Sequence, residues 1–536
     1  MATFLSATDL SFRLSNGDFL FNNISFTTRQ SLTAIVGANG VGKSVLARCL
    51  AGDLTLDSGS LQSSGDIHYV AQNAPPDPSL SVIALFGLEP ALNAAQRIEQ
   101  GSTESQDFDQ AAFWWEQAVE FMAACRTVGL PESLDVRRSV TSFSGGEQFR
   151  LMWAAALMAR PDLFIFDEPS NHLDRDGREQ FFNWLKNEKR PRIVISHDRE
   201  LLDQVDAILE LTPNGMHAHP GTVQEYLKER DQRWQQQQDK LDTARKDKKR
   251  QARQLQEALE KQQQRSARGK ANAEKTGLDK LLRDGMKEAS ENSQGQQKLL
   301  RQQRRTQADQ TLELAEQERE WQEPLALDLP DSALHPQKTV LSLNGLVTGV
   351  NQPNHQAISF RLNGAFRLRI EGPNGVGKSV LIKTLLEQYP AIAGHYHRWV
   401  PTVYLDQHFH HFDPQKSAIE NLLQRQPELT EQEGRERLAR IRLRNKKAEV
   451  AFGQLSGGEQ LKTVLATELL GPVTPQLLLL DEPTNHMDLD SVLALEQALS
   501  AYQGALVVIS HDEPFVATLR LTHRLRLPEA NLIELG

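Results

Sequence analysis

Cysteine is nearly missing: Cys49 and Cys125 are the only two in 536 residues. So few thiols argue against a disulfide framework, a cysteine-based zinc site and an iron–sulfur cluster, and both read as small core residues in a reducing compartment. Long apolar runs are missing as well. The longest, such as LFIF at 163–166 and LLLL at 477–480, fall far short of the ~18 residues needed to cross a bilayer, so no membrane insertion is expected. The opening residues, MATFLSATDL, have no basic stretch followed by an apolar one, so no secretory signal is expected. Proline is absent from Gly221 to Gln322, a span crowded with Gln, Lys, Arg and Glu. With no residue to break a helix, that span reads as a long helical strut.

The net charge of −10 is unevenly spread. Between Lys240 and Arg305 stand 19 Lys and Arg against 9 Asp and Glu, so the rest of the chain carries about −20. That asymmetry points to the strut as the part that meets a polyanion. At 536 residues the chain is too long for one core, and two to four domains are expected.

What the flanks do contain is an ordered set of motifs. LSFRLSNGDFLFNNISF reads as short antiparallel strands with a turn at Asn16–Gly17. The apolar strand LTAIV then runs into the glycine loop GANGVGKS at 37–44 and the helix VLARCLAG. Strand, glycine loop and helix form the context of a phosphate-binding loop. Gly37, Asn39, Gly40 and Gly42 let successive N–H groups point at phosphate oxygens, helped by the helix N-terminus. Lys43 would neutralise the β and γ phosphates, and the Ser44 hydroxyl would ligate Mg²⁺. A mixed helical stretch from about 84 to 140 follows, in which Phe113, Trp114 and Trp115 are expected to pack within a small subdomain. Ser144, Gly145, Gly146 and Gln148 lie in SGGEQ, a glycine turn that opens a helix and makes a second anion site. The strand LFIF ends in Asp167 and Glu168; such carboxylates can hold Mg²⁺ through water and polarise an attacking water. SNHLD follows at 170–174, and the strand RIVIS delivers His197.

The second half repeats this order. Gly372, Asn374, Gly375, Gly377, Lys378 and Ser379 form its glycine loop, and Ser456, Gly457, Gly458 and Gln460 its SGGEQ; Asp481 and Glu482 follow a strand, then TNHMD, then His511. Lys43 to Gln72 and Lys378 to Gln407 are both 29 residues apart, and Asp167 to His197 and Asp481 to His511 are both 30. Gln72 and Gln407 thus enter the series by position. The distance from Gln to the SGGEQ serine is 72 residues in one half and 49 in the other, so the first half carries about 23 extra residues.

These residues resemble ATP-binding cassette domains over nearly all of both halves. Tandem cassettes with a charged helical linker, each with SGGEQ and a later DEP[ST]NH[LM]D, resemble one branch: the ABC-F family of soluble translation factors. The resemblance implies an α/β fold, two P-loop cassettes joined by a long antiparallel α-helical hairpin. It implies cassettes at 1–220 and 324–536 with the hairpin at 221–323. It further implies one chain, a monomer, whose cassettes close head to tail. One ATP would lie between 37–44 and 456–460, the other between 372–379 and 144–148. Glu168 and Glu482 match the glutamates that act on the attacking water, and His197 and His511 the histidines on the γ-phosphate. Ser44, Gln72, Asp167, Ser379, Gln407 and Asp481 match the surroundings of Mg²⁺. The implied partner is the ribosome, near the tRNA exit site, with the linker reaching rRNA and P-site tRNA in the cytoplasm. Val45 and Val380 replace the family's usual Thr, and Phe143 its usual Leu. Phe12 is a candidate to stack on adenine; the second half offers no aromatic there.

In the strut, Leu227, Trp234, Leu241 and Leu255 fall at sevenfold spacing broken by Lys248, and Met286, Leu300, Leu314 and Trp321 do likewise. Two such seams predict an antiparallel helix pair of about 40 residues per arm, roughly 60 Å long, turning near 266–295 where glycines gather. Lys248, Lys249, Arg250, Arg265, Arg268, Lys270 and Lys275 are the candidate RNA contacts, because residues 261–270 hold four basic residues and no acidic one. No base-reading motif is visible, so recognition would rest on backbone and shape. The competing reading is the ATPase subunit of a transporter with a separate membrane partner, which gives the strut no purpose. Coiled-coil chromosome ATPases interrupt a single cassette, and here neither is interrupted. The short tail after His511 leaves no further domain expected.

Overall fold

Alternating apolar and polar residues build the first strands, β1 (Leu5–Arg13) and β2 (Phe19–Thr28), which pair antiparallel. Their turn uses Gly17 at φ 91°, with Leu14 donating to the Asp18 carbonyl at 2.9 Å. Leu32–Val36 (β3) is apolar but for Thr33 and wholly buried, whereas β4 (Ser58–Ser63) is polar and closes a three-stranded sheet in the order β2-β1-β4. The computed structural model describes residues 4–535 except 74, 76, 132, 172, 276–301, 304–305, 317–331, 349–355, 374, 407–408, 410, 442, 444, 456, 472–473 and 486.

A second sheet holds β3 at its centre. It adds β5 (Ile67–Val70), β6 (Leu163–Asp167), β7 (Arg192–Ile195), β8 (Ala207–Thr212) and β9 (Gly215–Pro220), in the order β5-β6-β7-β3-β8-β9. All pairs are parallel except β8 with β9. Strands β3, β6, β7 and β8 are buried along their whole length, as a parallel sheet covered on both faces requires. The second half repeats the plan. β10 (Thr339–Thr348), β11 (Ile358–Asn363) and β13 (Ala391–Arg398) pair in the order β11-β10-β13. Strands β12 (Arg367–Glu371), β14 (Thr402–Leu405), β15 (Leu477–Asp481), β16 (Ala505–Ile509), β17 (His523–Arg526) and β18 (Asn531–Glu534) follow β14-β15-β16-β12-β17-β18. Because β3, β6 and β7 lie side by side, and likewise β12, β15 and β16, the loops after these strands open at one sheet edge in each half.

The first half's insert is a pair of helices, Glu89–Glu99 and Ser105–Thr127. Buried Asp107 ties them by accepting from Arg97 at 2.9 Å and from Ser102 at 2.6 Å. Of the three neighbouring aromatics, Trp114 packs on Ala94, Ala95 and Ala111. Phe113 and Trp115 stay 50% and 54% exposed, which corrects the expectation that all three pack. Adjacent residues on a helix point about 100° apart, so a cluster of three in sequence cannot share one face.

The chain divides into two compact units, Met1–Val223 with Gln322–Gly536, and Gln224–Trp321. In the latter, the helix Val223–Lys275 runs 53 residues, roughly 80 Å, past Gly269 without a break. The first arm is therefore longer than the expected 40 residues, and any turn falls beyond Lys275, outside the described residues. Ion pairs of Lys248 with Asp309 at 2.8 Å and of Arg245 with Glu316 at 3.8 Å set the return segment antiparallel. The seam differs from the leucine count. Leu241 is buried, but its companions are Ala244 and Ala308, and Leu314 is 59% exposed. Small residues let two helices approach closely while offering little hydrophobicity to a pattern search. Buried Arg230 holds its guanidinium 4.1 Å over the ring of Trp234, on the same helix.

Candidate functional site

Each glycine loop is shaped by what a side chain would strike. A Cβ on Gly37 would meet the Leu211 carbonyl at 2.3 Å, and one on Gly372 the Leu527 carbonyl at 2.6 Å. Gly42 and Gly377, at φ 104° and 96°, turn the chain into the helices Lys43–Ala51 and Lys378–Leu385. The lysine of each helix folds back over its own loop. Lys43 Nζ donates to the Gly37 carbonyl at 2.7 Å and to Ala38 at 3.2 Å; Lys378 Nζ donates to Gly372 at 2.8 Å and to Pro373 at 3.2 Å. Both ammonium groups are buried, and desolvation pulls their pKa values down against nearby carboxylates. A buried cation within a ring of backbone N–H groups is suited to bind a polyanionic phosphate.

The carboxylates stand at the ends of β6 and β15. Asp167 accepts from the Tyr69 hydroxyl at 2.8 Å, and Asp481 from Tyr404 at 3.4 Å. The sequence reading missed both tyrosines. Their signal was the repeat itself, because each lies three residues before the paired glutamine. Asp481 also takes a hydrogen bond from Ser379. Asp167 Oδ1 is buried with no hydrogen-bond partner among the described residues, so this donor set, with Ser44 and Gln72 beside it on the cavity wall, fits a hard divalent cation.

Glu168 and Glu482 each adopt φ 47°, left-handed backbone that non-glycine residues seldom take. Their N–H groups are pinned to Ile195 and Ile509 carbonyls at 2.8 and 2.9 Å. Strain of this kind persists where surrounding structure imposes it, and here it turns both carboxylates beside histidines. His197 Nε2 lies 3.6 Å from Glu168, and His511 Nε2 lies 3.4 Å from Glu482. Desolvation raises Glu168 well above the carboxylate range against the opposing pull of Lys43, and raises Glu482 to about 7. Desolvation lowers His197 and brings His511 to about 4, so both imidazoles are neutral near pH 7. A carboxyl tuned toward neutrality is matched to accept a proton from water.

The first site draws on both halves. The Asn39 N–H donates to Asp488 Oδ2 at 3.0 Å, and a Cβ on Gly457 would stand 3.1 Å from the Asn39 amide. The second half's signature helix thus faces the first half's glycine loop. Beside this contact is a cavity of about 550 Å³, lined by Gly40, Gly42, Lys43, Ser44, Gln72, Asp167, Glu168 and His197 from the first half and Thr484, Asn485 and Met487 from the second. Leu14 and Leu20 line it too, whereas Phe12 packs 5.9 Å from Phe21 in the core below. Leu14, Leu20, Val45, Met487 and Val492 are the apolar side chains at the cavity wall, and Phe12 is not among its lining residues. Arg199 pairs with Glu496 across the halves.

The signature turns are locally sealed. Ser144 caps the helix Gly145–Ala159 in a reciprocal box with Glu147, and Gln148 donates to the Phe143 carbonyl at 2.8 Å. Gln460, on the helix Gly457–Leu469 that Gly457 and Gly458 open, donates to Phe452 at 2.9 Å. Phe143 is buried under the Arg138 guanidinium, 4.0 Å from its ring centre, so the change from Leu gains a cation–π contact. Gly375 sits at φ 78° in the second loop. Asn374, Gln407 and Ser456 lie outside the described residues. In the strut, Lys248 and Arg250 are engaged by Asp309 and Asp247, while Lys249 is exposed. Arg265, Arg268, Lys270 and Lys275 lie on the last turns of the long helix.

The family model described as ABC transporter matches residues 21–171 and 355–485. This chain belongs to the ABC-F family of ATP-binding cassette proteins. It is 30% identical over 496 residues to the Probable ATP-binding protein YheS of Escherichia coli K12, covering 89% of this chain and 71% of that one. It is 28% identical to ATP-binding cassette sub-family F member 3 of Mus musculus, covering 90% of this chain and 65% of that one. Among solved structures, the archaeal ribosome recycling factor aABCE1 in complex with stalk protein aP1 matches in fold with TM-score 0.53 at 16% identity, over 97% of this chain and 87% of that one. The ABC-F chain is accordingly an ATP-binding protein and an ATP hydrolase. No helix among its described residues is long and apolar enough to cross a membrane.

Proposed function

We propose that this ABC-F protein is a cytoplasmic, ribosome-binding ATPase that hydrolyses ATP in two composite sites and reaches ribosomal RNA and P-site tRNA with its linker. One observation carries the reading: a site shared across the halves through Asn39 and Asp488 is joined in one chain to an unbroken 53-residue helix rich in Lys and Arg. A transporter ATPase has no use for such an element.

Glu168 and Glu482 take the proton of the attacking water, and neutral His197 and His511 donate to the γ-phosphate. That role suits the buried ring nitrogens His197 Nδ1 and Nε2 and His511 Nε2, which have no hydrogen-bond partner among the described residues. Lys43 and Lys378 leave their loop carbonyls for the phosphates, and Ser144 and Ser456 close the sites from the opposite cassette. Ser44, Gln72 and Asp167 in one site, and Ser379, Gln407 and Asp481 in the other, would hold Mg²⁺. When bound, Mg²⁺ neutralises phosphate charge. ATP binding closes the cassettes and fixes the strut on the ribosome; hydrolysis releases it.

The test is sedimentation of Glu168→Gln/Glu482→Gln with ATP through a sucrose gradient beside ribosomes. Co-migration with ribosomes is expected, and protein left at the top contradicts the reading. Neutralising Arg265, Arg268 and Lys270 should weaken that co-migration and leave ATPase activity in place; equal loss of both makes these residues structural.

A further inference from the structure

The two switch histidines are connected by one side chain. Arg178 lies on the helix Arg175–Asn187, four residues after Asp174, with its side chain 12% exposed. Its Nη2 pairs with Asp198, the residue after His197, and lies 3.6 Å from Glu200. Its Nη1 donates to the carbonyl of His511, in the opposite half, at 3.0 Å. Asp198 is itself fixed, accepting from the Glu200 N–H at 3.0 Å as the cap of the helix Arg199–Leu202. A planar fork held at both ends fixes the distance between what it joins.

The opposite half is joined to the His197 segment differently, through Arg199, which pairs with Glu496 and lies 3.9 Å from Asp512. Four residues after Asp488 stands Val492, a buried aliphatic side chain on the cavity wall. Valine cannot donate to a carbonyl, so nothing at this position holds His197 as Arg178 holds His511.

We propose that Arg178 is a positioning residue for the second ATP site. It sets the backbone of His511 from across the interface, and through Asp198 it makes that setting depend on the first site's switch segment. The inference rests on the reading of Glu482 and His511 as the second site's hydrolytic pair. It goes further in joining the two sites through one side chain that bonds the His511 backbone directly.

The test measures ATP turnover of the full chain in two backgrounds, Glu168→Gln to report the second site and Glu482→Gln to report the first. Arg178→Lys keeps a charge for Asp198 but lacks the fork needed to reach His511 as well. Its expected effect on the second site is a fall in kcat of about ten- to a hundred-fold, the scale of a small misplacement, with KM within about twofold. First-site kcat should fall by less, about threefold, because Arg178 and Asp198 also line that cavity while Arg178 bonds the His511 backbone directly. The double variant Arg178→Met/Asp198→Asn, which leaves no charge buried alone, should lose second-site kcat to the same degree. Equal losses in both backgrounds, or a rise in KM with kcat unchanged, would overturn the proposal. The underlying reading is checked separately: Glu168→Gln/Glu482→Gln must abolish the turnover that Glu168→Gln retains, whatever Arg178 does.

Discussion

In the first ATP site Asp488 is 3% exposed and accepts from Asn39 across the interface; its counterpart in the second site, Asp174, has a side chain 36% exposed. The same contrast runs through the neighbouring residues. His197 is 9% exposed and His511 23%; Tyr69 holds Asp167 at 2.8 Å where Tyr404 holds Asp481 at 3.4 Å. Lysine, aspartate, glutamate and histidine stand in both sites, and what differs among the described residues is how tightly the opposite half seals them. The first site is closed by direct contact, and the second is steadied at its histidine by Arg178. Matching motifs thus give matching chemistry but not matching control.

Three pairs of substitutions sharpen or break this contrast. The largest effect is expected at the buried carboxylate. Asp488→Ala removes a buried charged acceptor from the half-buried Asn39 N–H, a loss of about 1.5–3 kcal/mol. It should therefore lower first-site turnover by about ten- to a hundred-fold, measured as ATP hydrolysis in the Glu482→Gln background. Asp174→Ala should lower the second site by less than about threefold, since this half-buried carboxylate serves its own half, accepting from the Gly177 N–H and pairing with Arg150. If both cost the same, the sites are sealed alike.

Next come the tyrosines, which orient candidate metal-binding carboxylates as outer partners do. Tyr69→Phe should weaken the Mg²⁺ dependence of first-site hydrolysis by about tenfold. Tyr404→Phe, losing a longer bond, should shift the second site by less. A Mg²⁺ titration of each single-site background decides it, and a larger effect at Tyr404 would reverse the ranking.

The smallest concerns the base. Leu14→Ala trims a half-exposed aliphatic side chain worth about 1 kcal/mol of apolar contact. ATP affinity of the first site should fall about fivefold, while Phe12→Leu should leave it unchanged. Calorimetric titration of the Glu168→Gln variants reads both. Loss of binding in Phe12→Leu would restore the aromatic platform.

Much of this was legible in the sequence, for a physical reason. A phosphate loop demands glycine where a Cβ would strike Leu211, and a buried parallel strand demands an unbroken apolar run, so these elements are written in residue types at fixed spacing. The head-to-tail arrangement came from resemblance and not from any pattern in the residues. What escaped depends on geometry between distant segments. Tyr69 is 98 residues from Asp167, and Arg178 is 333 from His511. Neither pairing has a local signature. In the strut the leucine count was incomplete, because Ala244 and Ala308 are buried as well and Leu314 is exposed, and composition alone could not reveal that Lys248 and Arg250 have acidic partners.

The central claim is that each chain forms two complete ATP sites between its halves. The most direct measurement is the number of ATP molecules retained per chain by Glu168→Gln/Glu482→Gln after gel filtration with Mg²⁺. The account predicts two per chain, falling to one when Asp488→Ala is added and the first site opens. Retention of a single ATP before that change, or of two after it, would contradict it.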